Sequence, residues 1–381
     1  MQNKKVILIS NTSWYLYNFK FKLIKSLIAK GYKVIIIAPF DKYTTLFGKQ
    51  IDFINWNINR KSLNPFSEII SIYQLIKVYK YNKPDYSHHF TIKACIYGSI
   101  AAKLNNVNYV INAHTGLCSS LITLNKFYLL PLKWILNTII RLLILDENSV
   151  NIFQNKDDLD EYNKIKGKQI NKALIIPGSG VDTEFFKLTK PRVIKKSKKK
   201  ILFPARLIKE KGLKELISSC NLLWEEGYNF QLNLAGFFDI QNNSSFSKNE
   251  IKTFRFNPNI SFLGHIDNIK DAYEESDIVV LPSWREGLSK SLLEAASMEC
   301  SIITTNVPGC KDVVDHGMNG IIVPVRNVSA LKLAIQFLLL NPELSFKFGK
   351  NARKKIKREF TTSKINKMTI KVYKDFPRKY F

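Results

Sequence analysis

Short, continuously apolar runs alternate along this chain with stretches in which apolar positions recur every three to four residues. The first run is Val6–Ser10, followed by a helical stretch from about Asn18 to Lys30 that Gly31 closes. Lys33–Ala38 is the second and ends at Pro39; Ile51–Ile54, Tyr109–Ala113, Leu143–Leu145 and Ala173–Ile176 continue the series. After a break it restarts with Lys200–Phe203, Phe230–Ala235, Ile260–Leu263, Ile278–Leu281, Ser301–Thr304 and Gly320–Pro324. Runs this short and this apolar predict strands buried on both faces. With helices between them they predict parallel sheets covered on each side.

The break runs from Phe186 to Lys200. It carries Lys187, Lys190, Arg192, Lys195, Lys196, Lys198, Lys199 and Lys200 with Pro191 and no acid, and reads as a solvated connector. At 381 residues the chain is long for one core. The expected organisation is an α/β protein of two Rossmann-like, doubly wound domains facing a central cleft. Their expected bounds are 1–186 and 187–360, with a C-terminal helix in 361–381 returning toward the first domain. Ser363–Tyr373 carries the amphipathic pattern of that helix. In Leu129–Leu145 the polar positions Lys133, Asn137 and Arg141 lie four apart and form one narrow stripe on an apolar helix. A helix on a bilayer face and a core helix with one solvated edge both fit that pattern.

Lysine and arginine total 58 against 31 acids, a formal charge of +27. This favours an anionic partner: nucleic acid, acidic lipid or a phosphorylated substrate. The joint abundance of Lys, Asn and Ile also fits drift toward A/T-rich codons. The cysteines at 95, 118, 220, 300 and 310 form no C-x-x-C pair, as expected of free thiols in a reducing compartment. The start of the chain is too soon polar for a signal peptide, and no apolar run reaches the roughly 20 residues of a membrane span. The expectation is a cytoplasmic protein.

Candidate chemistry concentrates in Leu281–Glu294, which follows a buried strand and enters a helix with Ser289 as its cap. Glu286 falls in the loop and Glu294 in the second turn. A carboxylate accepts two O–H bonds from a vicinal diol, so one glutamate suits a ribose and the other a hexose. The diphosphate between two such diols needs positive charge and a helix start. Arg206 and Lys211, just beyond the strand Lys200–Phe203, supply the charge without a metal.

The spacing E-x7-E, preceded by Arg206 and Lys211 in an ARLIKEKG setting, resembles retaining glycosyltransferase family 4. Pro177–Asp182, Phe262-Leu263-Gly264-His265, Val307-Pro308-Gly309 and Asp315–Gly320 are similar to that family too. The resemblance implies the GT-B fold with a nucleotide-sugar donor in the C-terminal domain. By it, Glu294 binds the ribose, Glu286 the transferred sugar, and Arg206 with Lys211 the diphosphate. Gly287, Leu288 and Ser289 lie by the phosphates, and Gly264 and His265 by the base. The N-terminal half, through Asn11–Phe19, Arg60–Phe66 and His114-Thr115-Gly116-Leu117, resembles bacterial enzymes that add N-acetylhexosamines to undecaprenyl-diphosphate sugars. Asn11-Thr12 stands where many members carry a glycine pair, and Gly116-Leu117-Cys118 where relatives read Gly-Leu-Gly. The resemblance implies a polyprenyl-diphosphate-linked acceptor touching Asn11, Thr12 and Lys93. It implies a catalytic role for His114 at the sugar or the acceptor phosphate. UDP-sugar is then a co-substrate, no metal or other cofactor is needed, and the protein works at the anionic inner face of the cytoplasmic membrane.

Two features are read as structural. Asp158-Leu159-Asp160 copies a metal-binding D-x-D but opens a helix, where acids suit the dipole. His88-His89 has no further ligands at metal-site spacing and is read as lining a strand end near the cleft. The competing functions are a UDP-sugar epimerase of the same architecture and a basic nucleic-acid-binding protein. The sequence shows no helix-turn-helix, RNA-binding aromatic motif or zinc finger for the latter, so no nucleic acid is expected as a partner.

Overall fold

A computed structural model describes residues 4–48, 51–59, 64–115, 130–194, 198–239, 242 and 244–379. Arg60–Leu63, Gly116-Leu117-Cys118, Leu129, Lys195 and Lys196 lie outside the described residues. The chain divides into two units: Met1–Ser179 with Ser363–Phe381, and Gly180–Thr362.

In the first unit the strands are β1 (Lys5–Ser10), β2 (Lys33–Ala38), β3 (Asp52–Asn55), β4 (Tyr86–Phe90), β5 (Tyr109–Ala113), β6 (Ser149–Phe153) and β7 (Ala173–Ile175). They form one parallel sheet in the order β3-β2-β1-β4-β5-β6-β7. In the second unit β8 (Lys199–Pro204), β9 (Phe230–Ala235), β10 (Ile260–Gly264), β11 (Ile278–Leu281), β12 (Ser301–Thr305) and β13 (Gly320–Val323) form another, in the order β10-β9-β8-β11-β12-β13. Both are doubly wound. The order reverses between β1 and β4 in the first sheet and between β8 and β11 in the second, the points at which such sheets hold ligands. Val6–Ile9 and Ile278–Leu281 are almost wholly buried. Each such side chain contributes roughly 1.5–3 kcal/mol on burial, so these strands hold the centres of their sheets.

Several expectations need correction. Leu143–Leu145 is not a strand. It ends a helical segment made of Leu130–Ile139 and a wider turn, Ile140–Ile144. Ile140, Ile144 and Leu145 pack there with Cys95, Phe153 and Tyr162, while Trp134 and Leu142 face solvent. The strand beside β5 is Ser149–Phe153 instead. The first helical stretch starts earlier than Asn18. Thr12 caps Ser13–Tyr15, and a wider turn over Leu16–Lys20 leads into Phe21–Ile28.

The first boundary falls at Ser179/Gly180 rather than at Phe186/Lys187. Val181 pairs with Thr361, through Val181 N–H to Phe360 O and Thr362 N–H to Val181 O, each 2.9 Å. Gly180 has φ +65°, and a Cβ there would stand 2.7 Å from Phe360 O. The chain therefore enters and leaves the second unit side by side. The connector is not simply solvated. The Arg192 guanidinium donates to the carbonyls of Tyr273 and Met298, each at 3.0 Å, and to that of Ser276, which fastens it to the second unit. The closing helix, Thr362–Lys379, buries Ile365, Ile370, Val372 and Tyr373 in the first unit's core.

Candidate active site

The carboxyl ends of β8 and β11 part from each other. These strands pair only through Ile201–Ile278 and Leu202–Val279, so Phe203 and Pro204 run on without a β11 partner. Pro204 has no N–H to extend the ladder. Doubly wound sheets form a crevice at such a reversal of strand order, and most of the predicted donor residues stand on loops beyond these strands.

Two loops are stitched together across this opening. Trp284 N–H donates to Glu210 O at 2.9 Å, and Ser283 Oγ to the same carbonyl at 3.2 Å. Gly212 closes the turn at φ +75°; a Cβ there would lie 2.1 Å from Pro282 O, so only glycine permits this approach. The stitching brings Lys211 Nζ to 2.5 Å from Glu286 Oε1, with both side chains mostly buried. Gly309 seals the other side. It has φ +76°, its Cβ would meet Gly287 O at 2.3 Å, and Ser289 N–H donates to its carbonyl at 3.3 Å. The Gly287–Leu288 backbone is thereby fixed against Val307-Pro308-Gly309.

Ser289 caps the helix Lys290–Ser297 by accepting from Leu292 N–H at 3.4 Å. Glu294 is buried in this helix. Its carboxylate lies 3.2 Å from the Tyr273 hydroxyl and 3.7 Å from Lys290 Nζ, one turn back on the same face. Burial raises the Glu294 carboxyl above its ordinary range; Lys290 and the tyrosine hydroxyl pull the other way. Sequence reasoning missed both partners. The i, i+4 spacing of Lys290 and Glu294 was a visible signal. Tyr273, from the helix Lys270–Glu275, was not findable without the fold.

Arg206 also stands at this crevice, two residues past β8. Its guanidinium pairs with Asp239 at 2.9 Å, and the half-exposed side chain stays accessible. The β8 and β9 loops touch where Gly236 meets Ala205 O, where a Cβ would be 1.9 Å away. Gly264 ends β10 at φ +68° with open space beside it. His265 is exposed, 3.4 Å from Asp267 and edge-on to Phe237. Among the described residues no contact joins Glu294 or Arg206 to the Lys211–Glu286 pair.

In the first unit His114 follows β5 and is buried between Phe153 and Tyr162. Asn151 Nδ2 donates to Ser149 Oγ at 3.1 Å, which turns Asn151 Oδ1 toward His114 Nε2 at 2.9 Å. The proton therefore sits on Nε2, and Nδ1 is a buried acceptor without a partner among the described residues. Burial lowers the imidazole to about 4, so it is neutral near pH 7. An acceptor atom repels a phosphate oxygen, so this atom suits a hydroxyl and not the acceptor phosphate.

Lys93, predicted at the acceptor, is held in an ion pair. Its ammonium is consumed by Glu68 at 2.8 Å and Asn59 O at 2.9 Å, and both charged side chains are largely buried. Thr12 is engaged as a cap, accepting from Tyr15 N–H at 3.2 Å, and Asn11 precedes it at the end of β1. His88 and His89 lie inside β4 rather than at its end. His88 Nδ1 meets Tyr373 at 2.7 Å, and His89 bridges Ser87 and Asn112. Asp157 and Asp158 occupy the first turn of the helix Lys156–Lys166, capped by Asn155. A cavity of about 340 Å³ lined by Lys103, Asn106, Asp146 and Asn148 sits at the amino ends of β5 and β6, away from this chemistry.

Known families match the chain in two stretches: "Glycosyl transferase 4-like" over residues 5–145 and "Glycosyl transferases group 1" over residues 184–355. The chain belongs to the glycosyltransferases. This glycosyltransferase is 26% identical to the capsular polysaccharide biosynthesis glycosyltransferase CapM of Staphylococcus aureus, over 83% of each chain. It is 27% identical to the N,N'-diacetylbacillosaminyl-diphospho-undecaprenol alpha-1,3-N-acetylgalactosaminyltransferase of Campylobacter jejuni, over 90% of this chain and 92% of that one. Its fold is that of a Rickettsia africae glycosyltransferase (TM-score 0.80, 18% identity, all of both chains). It is also that of Anabaena Alr3699/HepE, solved with UDP and glucose (TM-score 0.78, 15% identity, 98% of this chain and all of that one). The fold is GT-B.

Proposed function

We propose that this glycosyltransferase moves an N-acetylhexosamine from a UDP-sugar to a saccharide carried on a polyprenyl diphosphate. The product belongs to a bacterial surface polysaccharide or glycan, and the work is done at an anionic membrane surface. The observation that carries the reading is the Lys211–Glu286 pair on loops stitched together at the strand reversal of the second sheet. A cation and an acceptor side by side match a sugar joined to a diphosphate: Lys211 takes the phosphate and Glu286 a sugar hydroxyl. Glu294 takes the ribose diol, and the Gly287–Leu288 backbone with the Ser289 helix start faces the phosphates. The names of the similar proteins, one acting on an undecaprenol-linked substrate and one solved with UDP, support the choice of donor and acceptor.

In the proposed reaction the acceptor hydroxyl attacks the anomeric carbon on the face from which UDP departs, with retention of configuration. The glycosidic bond to the diphosphate breaks as the new one forms, and the hydroxyl proton passes to the leaving oxygen. Arg206 and Lys211 stabilise the charge that grows on UDP, worth roughly 3–4 kcal/mol for a well-placed donor. No metal is required for that step. His114 Nδ1 is an acceptor suited to a sugar hydroxyl. The test is an assay of purified protein with UDP-N-acetylhexosamines and a polyprenyl-diphosphate saccharide, with the product's anomeric configuration read by NMR. An inverted linkage would remove the retaining mechanism. Epimerised donor without an acceptor would replace transfer altogether.

A further inference from the structure

One helix of the first unit has no polar face. Asn64 caps Pro65–Asn82 by accepting from Phe66 N–H at 3.0 Å, and Lys83 ends it in the left-handed region at φ 46°. Its inner side buries Ser71, Leu75 and Tyr79. The positions three and four apart on the other side are Phe66, Ile69, Ile70, Tyr73, Lys77, Lys80 and Tyr81. Phe66 is 78% exposed, Ile69 63%, Ile70 64%, Tyr73 55% and Tyr81 88%. The outward side of a helix on a water-soluble domain is ordinarily charged. Here apolar and aromatic groups fill it, and the only charges on it are the two lysines. The helix's single acid, Glu68, turns inward to Lys93 and Tyr97. The Lys77 ammonium lies over the Tyr73 ring at 4.5 Å.

We propose that this outward face docks on an anionic lipid surface, with Phe66, Ile69 and Ile70 entering the acyl boundary. Tyr73 and Tyr81 lie at headgroup level, and Lys77 and Lys80 meet the lipid phosphates. Charge decides the occupant. In a symmetric pair of copies the same lysines face one another inside the contact, and the chain as a whole carries +27. An anionic bilayer complements both the strip and its cations. The inference deepens the reading that the enzyme works at a membrane surface, and it rests on that reading.

The test is cosedimentation of the full chain with vesicles of phosphatidylcholine holding about one third phosphatidylglycerol. Three variants are compared: Phe66→Ser/Ile70→Ser, Lys77→Glu/Lys80→Glu, and Phe256→Ser as an exposed apolar control in the second unit. Thermal midpoints verify folding. The expected result is binding by the parent and the control, with partitioning about tenfold or more weaker in both helix variants. Parent binding that the two helix variants retain in full overturns this docking face and leaves membrane work intact. No binding by the folded parent overturns both. A dimer in sedimentation equilibrium that Phe66→Ser/Ile70→Ser dissociates assigns the face to a second copy and overturns the lipid assignment.

Discussion

Lys211 and Glu286 hold each other at 2.5 Å on two separate loops. The cation expected at the diphosphate and the acid expected at the sugar are thus partners of one another. In the proposed reaction donor entry exchanges this bond for two, one to phosphate and one to a hydroxyl, so that each charge keeps a counterpart. Removing Lys211 breaks both states at once. Lys211→Met is expected to lower kcat by roughly 10²–10³-fold, with a smaller change in KM, because the lost interaction grows in the transition state. Steady-state kinetics with saturating acceptor measure it.

Glu294→Gln separates binding from stability. The carboxylate is a charge-assisted acceptor, so its loss is expected to weaken UDP-sugar binding roughly 10–100-fold by calorimetry. Burial opposes the charge at this position, so the neutral side chain leaves the thermal midpoint unchanged or raised. A normal donor affinity would remove Glu294 from the site.

Gly212→Ala forces a Cβ into the space held by Pro282 O, in a backbone conformation that disfavours side chains. The expected cost is about 1–3 kcal/mol in urea unfolding, with a fall in kcat as the loop carrying Lys211 lifts away. Gly48→Ala shares the positive φ but has open space around it, and serves as the control for strain alone.

Lys93→Met separates a structural from an acceptor-binding role for this lysine. Breaking a buried pair strands Glu68, which costs roughly 3–5 kcal/mol. The variant is expected to melt early, while its acceptor KM, measured well below the melting range, stays close to the parent's. A large rise in acceptor KM with normal stability would return Lys93 to the site.

Acid weakens the first unit through its buried histidines. His89 and His114 are both lowered to about 4 by burial, against 6.5 when exposed. Between those values the unfolded chain binds protons that the folded chain does not, so stability falls as pH drops from 6.5 toward 4. At pH 5 each residue accounts for about 2 kcal/mol of loss relative to pH 7. In His114→Gln the difference in urea stability between pH 7 and pH 5 is expected to shrink by about that amount.

The uniform strands were legible in the sequence. Lys33–Ala38, Tyr109–Ala113, Phe230–Ala235 and Ile278–Leu281 have the predicted bounds, because an unbroken apolar run between turn residues fits a doubly covered strand. Tyr86–Phe90 was read only as a strand end at His88-His89 and not as a buried strand of the series, since Ser87, His88 and His89 are polar. Their partners, Tyr79, Asn112 and Tyr373, lie on other elements, Tyr373 near the far end of the chain, and only the fold supplies them. Leu143–Leu145 failed for the opposite reason: a short apolar run is the same in a buried strand and at the end of a buried helix. The positions of Glu286, Arg206 and Lys211 just beyond strands, and of Glu294 on a helix capped by Ser289, were legible from the strand–helix pattern. The ion pair joining Lys211 to Glu286 and the burial of Lys93 were not, because charge pairing depends on which loops fold together.

The side-by-side passage of the chain at Val181 and Thr361 means that the first unit is completed by residues made after the whole of the second. Tyr86 donates its hydroxyl to Tyr373 O at 3.1 Å, and His88 waits for the hydroxyl of the same residue. A ribosome delivers Tyr373 only after all of Gly180–Thr362 has emerged, roughly ten to forty seconds later at ordinary rates of synthesis. Throughout that interval the nascent first sheet lacks the helix whose Ile365, Ile370, Val372 and Tyr373 complete its core.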